Sequence, residues 1–200
     1  VIPGLDVSHW EAKIRWADVL RAGYSWCYAK ATEGLTYTDP LFSKHWEDMK
    51  AAGMARGAYH FARPQFDATA QADHFAKTAG LMDASDLMPC LDLETDGNMG
   101  AVHTIAWMRN FMARAEKLFD RPLMIYLGHS FLLEFLGDPL MPDLASRPLW
   151  IPRYGTNFPK PSKTWPKWTI WQHSEDFEIP GVGKCDANWL DGDLSPLRAA

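Results

Sequence analysis

Asp92 and Glu94 stand two residues apart at the end of the apolar run Met88-Pro89-Cys90-Leu91-Asp92-Leu93-Glu94. If that run is a strand, alternation sends both acids to one face, about 6.5–7 Å apart at the backbone. Two carboxyls in one low-dielectric pocket resist double ionisation, so one of them should hold a proton near neutral pH. Glycosidic cleavage needs such an acid, because a sugar oxygen leaves poorly unless it is protonated. An Asp-x-Glu on a solvated strand end would mean nothing; the apolar residues before this one argue for burial. Asp6, Asp186 and Lys30, with Glu33 just beyond it, are the other charged residues that close candidate strands. Tyr126 closes another.

Short β-rich runs alternate with longer helical patterns, and these elements must position the acids. Strands are expected at Ile2–Val7, Ser25–Ala31, Gly57–Phe61, Met88–Leu93 and Leu123–Tyr126. Helices are expected between them, at Ile14–Ala22, Pro40–Ala52, Thr69–Ala79 and Val102–Phe119, with Gly23 and Gly53 as stops. The last of these is the clearest, with Ile105, Met108, Met112, Ala115 and Phe119 holding the 3.6 period. The final third is rich in Pro and Trp and offers only strand candidates, at Leu149–Tyr154, Thr169–His173 and Lys184–Asn188. Repeated βα units imply a parallel sheet with right-handed crossovers. Eight strands fit a closed barrel better than an open sheet, so the expected class is α/β: an irregular TIM-like β/α barrel of about five βα units plus three further strands. Residues 1–200 are expected to form one catalytic domain, with no linker and no internal repeat. In such a barrel the strand ends converge on one mouth, which would bring Asp6, Asp92, Glu94 and Asp186 together. Four carboxylates could also hold magnesium or calcium. Lys30 and several aromatic residues would share the mouth, however, and suit a sugar better than a bare cation; neither metal nor cofactor is expected.

Composition narrows the partners. The net charge of −5 argues against nucleic acid, which needs a basic surface. No apolar stretch approaches the roughly 20 residues of a membrane span, and no basic and then apolar leader opens the chain, so neither membrane insertion nor a signal peptide is expected. Ten Trp in 200 residues fit either a heavy core or sugar-stacking surfaces. Cys27, Cys90 and Cys185 are an odd set without zinc-site spacing. If Asp92 and Glu94 face inward, so does Cys90, while Cys185 points opposite to Asp186. No disulfide is expected.

Seven segments occur in an order that resembles glycoside hydrolase family 25, the lysozymes of phage endolysins, bacteria and fungi. They are Gly4-Leu5-Asp6-Val7-Ser8, Lys30-Ala31-Thr32-Glu33-Gly34, Gly57-Ala58-Tyr59-His60-Phe61, Leu91-Asp92-Leu93-Glu94, Leu149-Trp150-Ile151, Trp171-Gln172 and Asp186-Ala187-Asn188. The resemblance spans residue 4 to about residue 193. It implies an N-acetylmuramidase that cuts the β-1,4 bond between N-acetylmuramic acid and N-acetylglucosamine in bacterial peptidoglycan. By the same resemblance Glu94 is the general acid, Asp92 orients and polarises the substrate's N-acetyl group, and Asp6 and Asp186 line the same site. Phe61 and Tyr126 resemble wall residues that position the saccharide; Lys30, Tyr59 and Trp150 complete the expected substrate-binding set. Cys185 and Trp189 stand where the family usually has an aliphatic residue and Phe. A monomer acting on the cell wall, secreted or released by a phage, is implied. Two other readings use the same groove: a β-N-acetylglucosaminidase acting on chitin-like glycans, and a glycan-binding protein without catalysis. The intact set of four acids argues against the second.

Overall fold

The structure is a computed structural model and describes residues 1–198. Eight strands close a barrel: β1 (Ile2–Val7), β2 (Trp26–Glu33), β4 (Ala55–Phe61), β5 (Cys90–Leu93), β6 (Met124–Leu127), β7 (Leu149–Pro152), β8 (Ile170–Ile179) and β9 (Gly183–Leu190). A two-residue strand, β3 (Tyr37–Thr38), pairs with β2 outside the closure. Neighbours from β1 through β2 and β4 to β8 are parallel. β9 breaks the parallel pattern expected from the βα repeats, pairing antiparallel with both β8 and β1. The reason is local: Pro180–Val182 is a tight turn, with Val182 N–H donating to Ile179 O at 3.0 Å, and a parallel return needs a far longer crossover.

Helices α1 (Trp16–Arg21), α2 (Phe42–Ala52), α3 (Ala68–Ala79) and α4 (Ala101–Phe119) follow the first four barrel strands. α1 is shorter than its apolar pattern suggests: Ile14 and Arg15 stay outside it, with Arg15 N–H donating to Gly181 O at 2.8 Å. Gly53 ends α2 in the left-handed region at φ 80°, as its place after the last apolar residue implied. The fifth unit has only a π-helical turn, Phe131–Phe135, in place of a helix.

Alternation sorts the core into two layers. Inside the barrel lie Trp26, Tyr28, Cys90, Met124, Tyr126, Trp150, Ile170 and Leu190. Between barrel and helices lie their strand neighbours, among them Cys27, Leu91, Leu93, Ile125, Leu127 and Ile151, packed on Phe75, Met108 and Phe111. Gly4 and Gly57 make room for the two largest interior rings: a Cβ on Gly4 would come within 2.0 Å of Trp26, and one on Gly57 within 2.1 Å of Tyr28. Those rings plug the lower half of the barrel, so the open space lies at the other end. The three cysteines are buried and unbonded, with Cys90 inside and Cys27 and Cys185 outside, as alternation required.

Candidate active site

Strand register brings the polar side chains level. Asp6 pairs across from Asp186, Asp92 lies between Phe61 and Tyr126, Tyr126 is level with Trp150, and Gln172 with Asn188. Above the aromatic plug all of these but Asn188 line a cavity of about 320 Å³. All nine residues expected from the sequence are in its wall: Asp6, Lys30, Tyr59, Phe61, Asp92, Glu94, Tyr126, Trp150 and Asp186. Asp186 arrives by a different route from the one anticipated. It does not close a strand that runs toward the mouth; β9 descends from the mouth, and Asp186 lies in its upper half.

The acids form two pairs. In the first, Asp6 is buried and one oxygen, Oδ2, accepts from Gln172 Nε2 at 3.0 Å and from Asn188 Nδ2 at 2.8 Å. Burial raises the Asp6 pKa, opposed by those two amide donors. Burial and the Asp6 charge push Asp186 up to about 10, so at neutral pH Asp186 carries the proton that the pair shares. The amides are themselves held: Gln172 Oε1 accepts from Tyr126 OH at 2.9 Å and Tyr154 OH at 3.2 Å, and Asn188 Oδ1 accepts from Trp150 Nε1 at 2.8 Å.

The second pair is Asp92 and Glu94. Asp92 is buried, and burial followed by the charge of Glu94 lifts its pKa well above the usual carboxylate range. Glu94 opens toward the cavity and is raised as well, by burial first and by the Asp6 charge, against a hydrogen bond from Asp92. Asp92 therefore holds the proton more firmly than Glu94 while the site is empty of sugar. Oδ1 of Asp92 has no hydrogen-bond partner among the described residues. Lys30 is engaged elsewhere, donating to Glu33 Oε2 at 2.6 Å with its ammonium 4.8 Å from the Phe61 ring centroid. Its charge still reaches the acids and opposes the rise of both Asp92 and Glu94. Among the described residues no group of three His, Cys, Asp or Glu side chains is placed to hold a metal ion.

A buried Asp92 beside an open Glu94, next to a second, amide-clamped pair at the open end of an aromatic-filled β/α barrel, suits protonation of a leaving sugar oxygen. The sequence model described as Glycosyl hydrolases family 25 matches residues 5–182. The chain belongs to this family. It is a glycoside hydrolase. Lysozyme M1 of Streptomyces globisporus is 36% identical over 99% of this chain and 70% of its own length. An N,O-diacetylmuramidase of Chalaropsis sp is 30% identical over 98% of this chain and 97% of its own. Among solved structures, the bacterial lysozyme from Streptomyces coelicolor superposes with a TM-score of 0.90 at 35% identity, covering 98% of this chain and 94% of that one. A muramidase from Trichobolus zukalii gives 0.89 at 33%, covering 98% and 97%.

Family 25 membership leaves the individual residues to be read from the geometry: Ser8, Trp10, Tyr154, Gln172 and Glu175 also line the cavity, and Asn188 holds Asp6 from behind its wall. Gln172 and Asn188 lie in segments quoted for the resemblance, and Asn188 is two residues from Asp186, so alternation alone could have placed it inward. Tyr154, just past β7, and Trp10, 80% exposed at the rim with its ring centroid 4.5 Å from that of His9, sit in irregular loops where no periodicity marks them.

Proposed function

We propose that this family 25 hydrolase is a muramidase, cutting the β-1,4 bond after N-acetylmuramic acid in peptidoglycan, and that residues 1–200 act as one catalytic domain on the cell wall. The observation that carries the reading is the Asp92–Glu94 pair, Asp92 on β5 and Glu94 just past its end, both with raised pKa values and with an unpartnered oxygen on Asp92. Acids two residues apart at one strand end are poorly placed to reach opposite faces of a sugar ring. The substrate's own 2-acetamido oxygen is the better nucleophile, with Asp92 accepting the amide N–H. That hydrogen bond favours ionised Asp92 and passes the shared proton to Glu94, which then delivers it to the leaving oxygen. Attack by the acetamido group expels that oxygen and closes a cyclic cation beside Asp92; water then opens it on the same face, so configuration is retained. Asp6, Asp186 and their amides hold the far wall, and Tyr126, Trp150, Tyr59 and Phe61 supply apolar ring contacts. Among the described residues no helix is long and apolar enough to cross a membrane.

Digestion of purified peptidoglycan, borohydride reduction of the products and identification of the new sugar alcohol test the assignment. Muramicitol is expected. Glucosaminitol would assign the bond to a glucosaminidase instead, and the absence of any new alcohol would leave a binding protein.

A further inference from the structure

A second cavity, of about 370 Å³, adjoins the first and shares Glu94 as a wall residue. Thr95 comes from the connection after β5, and Ser130, Phe131, Glu134 and Phe135 come from the π-helical turn after β6. A π turn is rare and concentrated at functional positions. This one, closed by Leu136 N–H donating to Phe131 O at 2.9 Å, stacks Phe131 on Phe135 with centroids 5.0 Å apart and planes 15° apart. Phe135 is nonetheless 42% exposed, a flat apolar ring open to the cleft.

Asp92 lines the first cavity but not the second. Given the muramidase reading, on which this assignment rests, that asymmetry orients the glycan strand. The sugar whose acetamido group meets Asp92 occupies the first cavity. Glu94 protonates the oxygen leaving from that sugar, so the departing residue lies beyond Glu94. The second cavity is there. We propose that it is the leaving-side subsite and takes an uncharged N-acetylglucosamine ring against Phe135. Glu134 and Asp96 supply acceptors for sugar hydroxyls and repel carboxylates, and Asp96 is held ionised by the Gly100 N–H. A muramic residue carrying an acidic stem peptide is therefore disfavoured there, which sets the strand so that the bond after muramic acid meets Glu94.

Two substrates separate this subsite from the chemistry: peptidoglycan strands, and the β-fluoride of the N-acetylglucosaminyl-N-acetylmuramic disaccharide, whose leaving fluoride occupies no sugar site. Binding on the leaving side contributes to kcat/KM only when a sugar leaves. Loss of an aromatic platform is worth about tenfold in affinity at most sites. The ratio of strand kcat/KM to fluoride kcat/KM is expected to fall about tenfold in Phe135→Ala, with a similar fall in Phe135→Leu, which keeps apolar bulk but loses the flat ring. Equal losses on both substrates, or no loss on strands, would overturn the subsite and leave the muramidase reading standing. Wild-type protein that cleaves neither substrate would overturn both. Phe135 is exposed, so folding is preserved, and matching melting curves for the two variants check this.

Discussion

Asp186→Asn should make the protein more stable, by an amount that depends on pH. Asp186 is held protonated to about 10 in the fold, against an ordinary value of 3.8 in the unfolded chain. At pH 7 folding must therefore place a proton on a carboxyl that the unfolded chain leaves ionised. At about 1.4 kcal/mol per decade of proton activity, that costs at most about 4 kcal/mol. The side chain stands at an open mouth where water screens it, and about 1–2 kcal/mol is the expected penalty. Asn carries no titrating proton, and its Nδ2–H can donate to Asp6 as the protonated carboxyl does. For a chain of 200 residues, removing that penalty corresponds to a Tm rise of about 2–8 °C. The sign follows from linkage. A raised pKa in the folded state means that wild-type stability is complete below the unfolded value and is lost as pH climbs toward the folded one. The variant does not share that loss, so the Tm difference should be near zero at pH 4, clear at pH 7 and larger at pH 9. Thermal melts of both proteins across that range, followed by circular dichroism, measure it. A difference that stays flat from pH 4 to pH 9, or a lower Tm for the variant at pH 7, would refute the shared-proton account of Asp6 and Asp186.

Glu94→Gln keeps shape and hydrogen bonding but cannot deliver a proton; a loss of about 10²–10⁴-fold in wall lysis is expected with the melting curve preserved, and half-maximal activity would remove Glu94 from the acid role. Asp92→Asn should lower kcat far more than it raises KM, because Asp92 acts on the cation that forms during the reaction; a change confined to KM would reduce it to a binding residue. NMR of the first product should show the β-anomer before mutarotation, whereas an α-anomer appearing first would establish a water activated by Asp6 or Asp186. Titration of the denatured, unreduced protein should count three thiols, one for each unbonded cysteine, and a count of one would reveal a disulfide.

The barrel was legible because its strands are short, apolar and strictly alternating: Cys90, Asp92 and Glu94 share a face, and the cysteine's place in the interior cluster follows from that of the acids. The helices were legible where an apolar stripe was long, as in α4, and fuzzy where it was short, as in α1. The direction of the last strand was not, since it depends on a three-residue turn whose brevity matters only once β8 is known to extend to Ile179. Sequence also could not foresee that Lys30 would be hydrogen-bonded to Glu33 and would act on the acids only at longer range, because that depends on where the loop after β2 folds back. Nor did it separate His60, which sits beside Tyr59 but turns outward. There it is hydrogen-bonded to Thr32 and Gln71 and held neutral by burial, with a pKa of about 3.

Among the described residues β9 is the last barrel strand in sequence, and it closes the ring by lying between β8 and β1. Its hydrogen bond from Asn188 to Asp6 spans 182 residues of sequence. Contacts of that separation form late and slowly, because so much chain must be ordered before they can be made. A ribosome releasing the chain from its N-terminus therefore holds, until residues 183–190 emerge, an open sheet with two bare edges and an Asp6 lacking both its acid partner and one of its amides. Hydrolytic competence is thus tied to the arrival of β9: fragments ending before Gly183 leave bare sheet edges open to aggregation or proteolysis, and the cell that makes this protein meets its activity only once the barrel has closed.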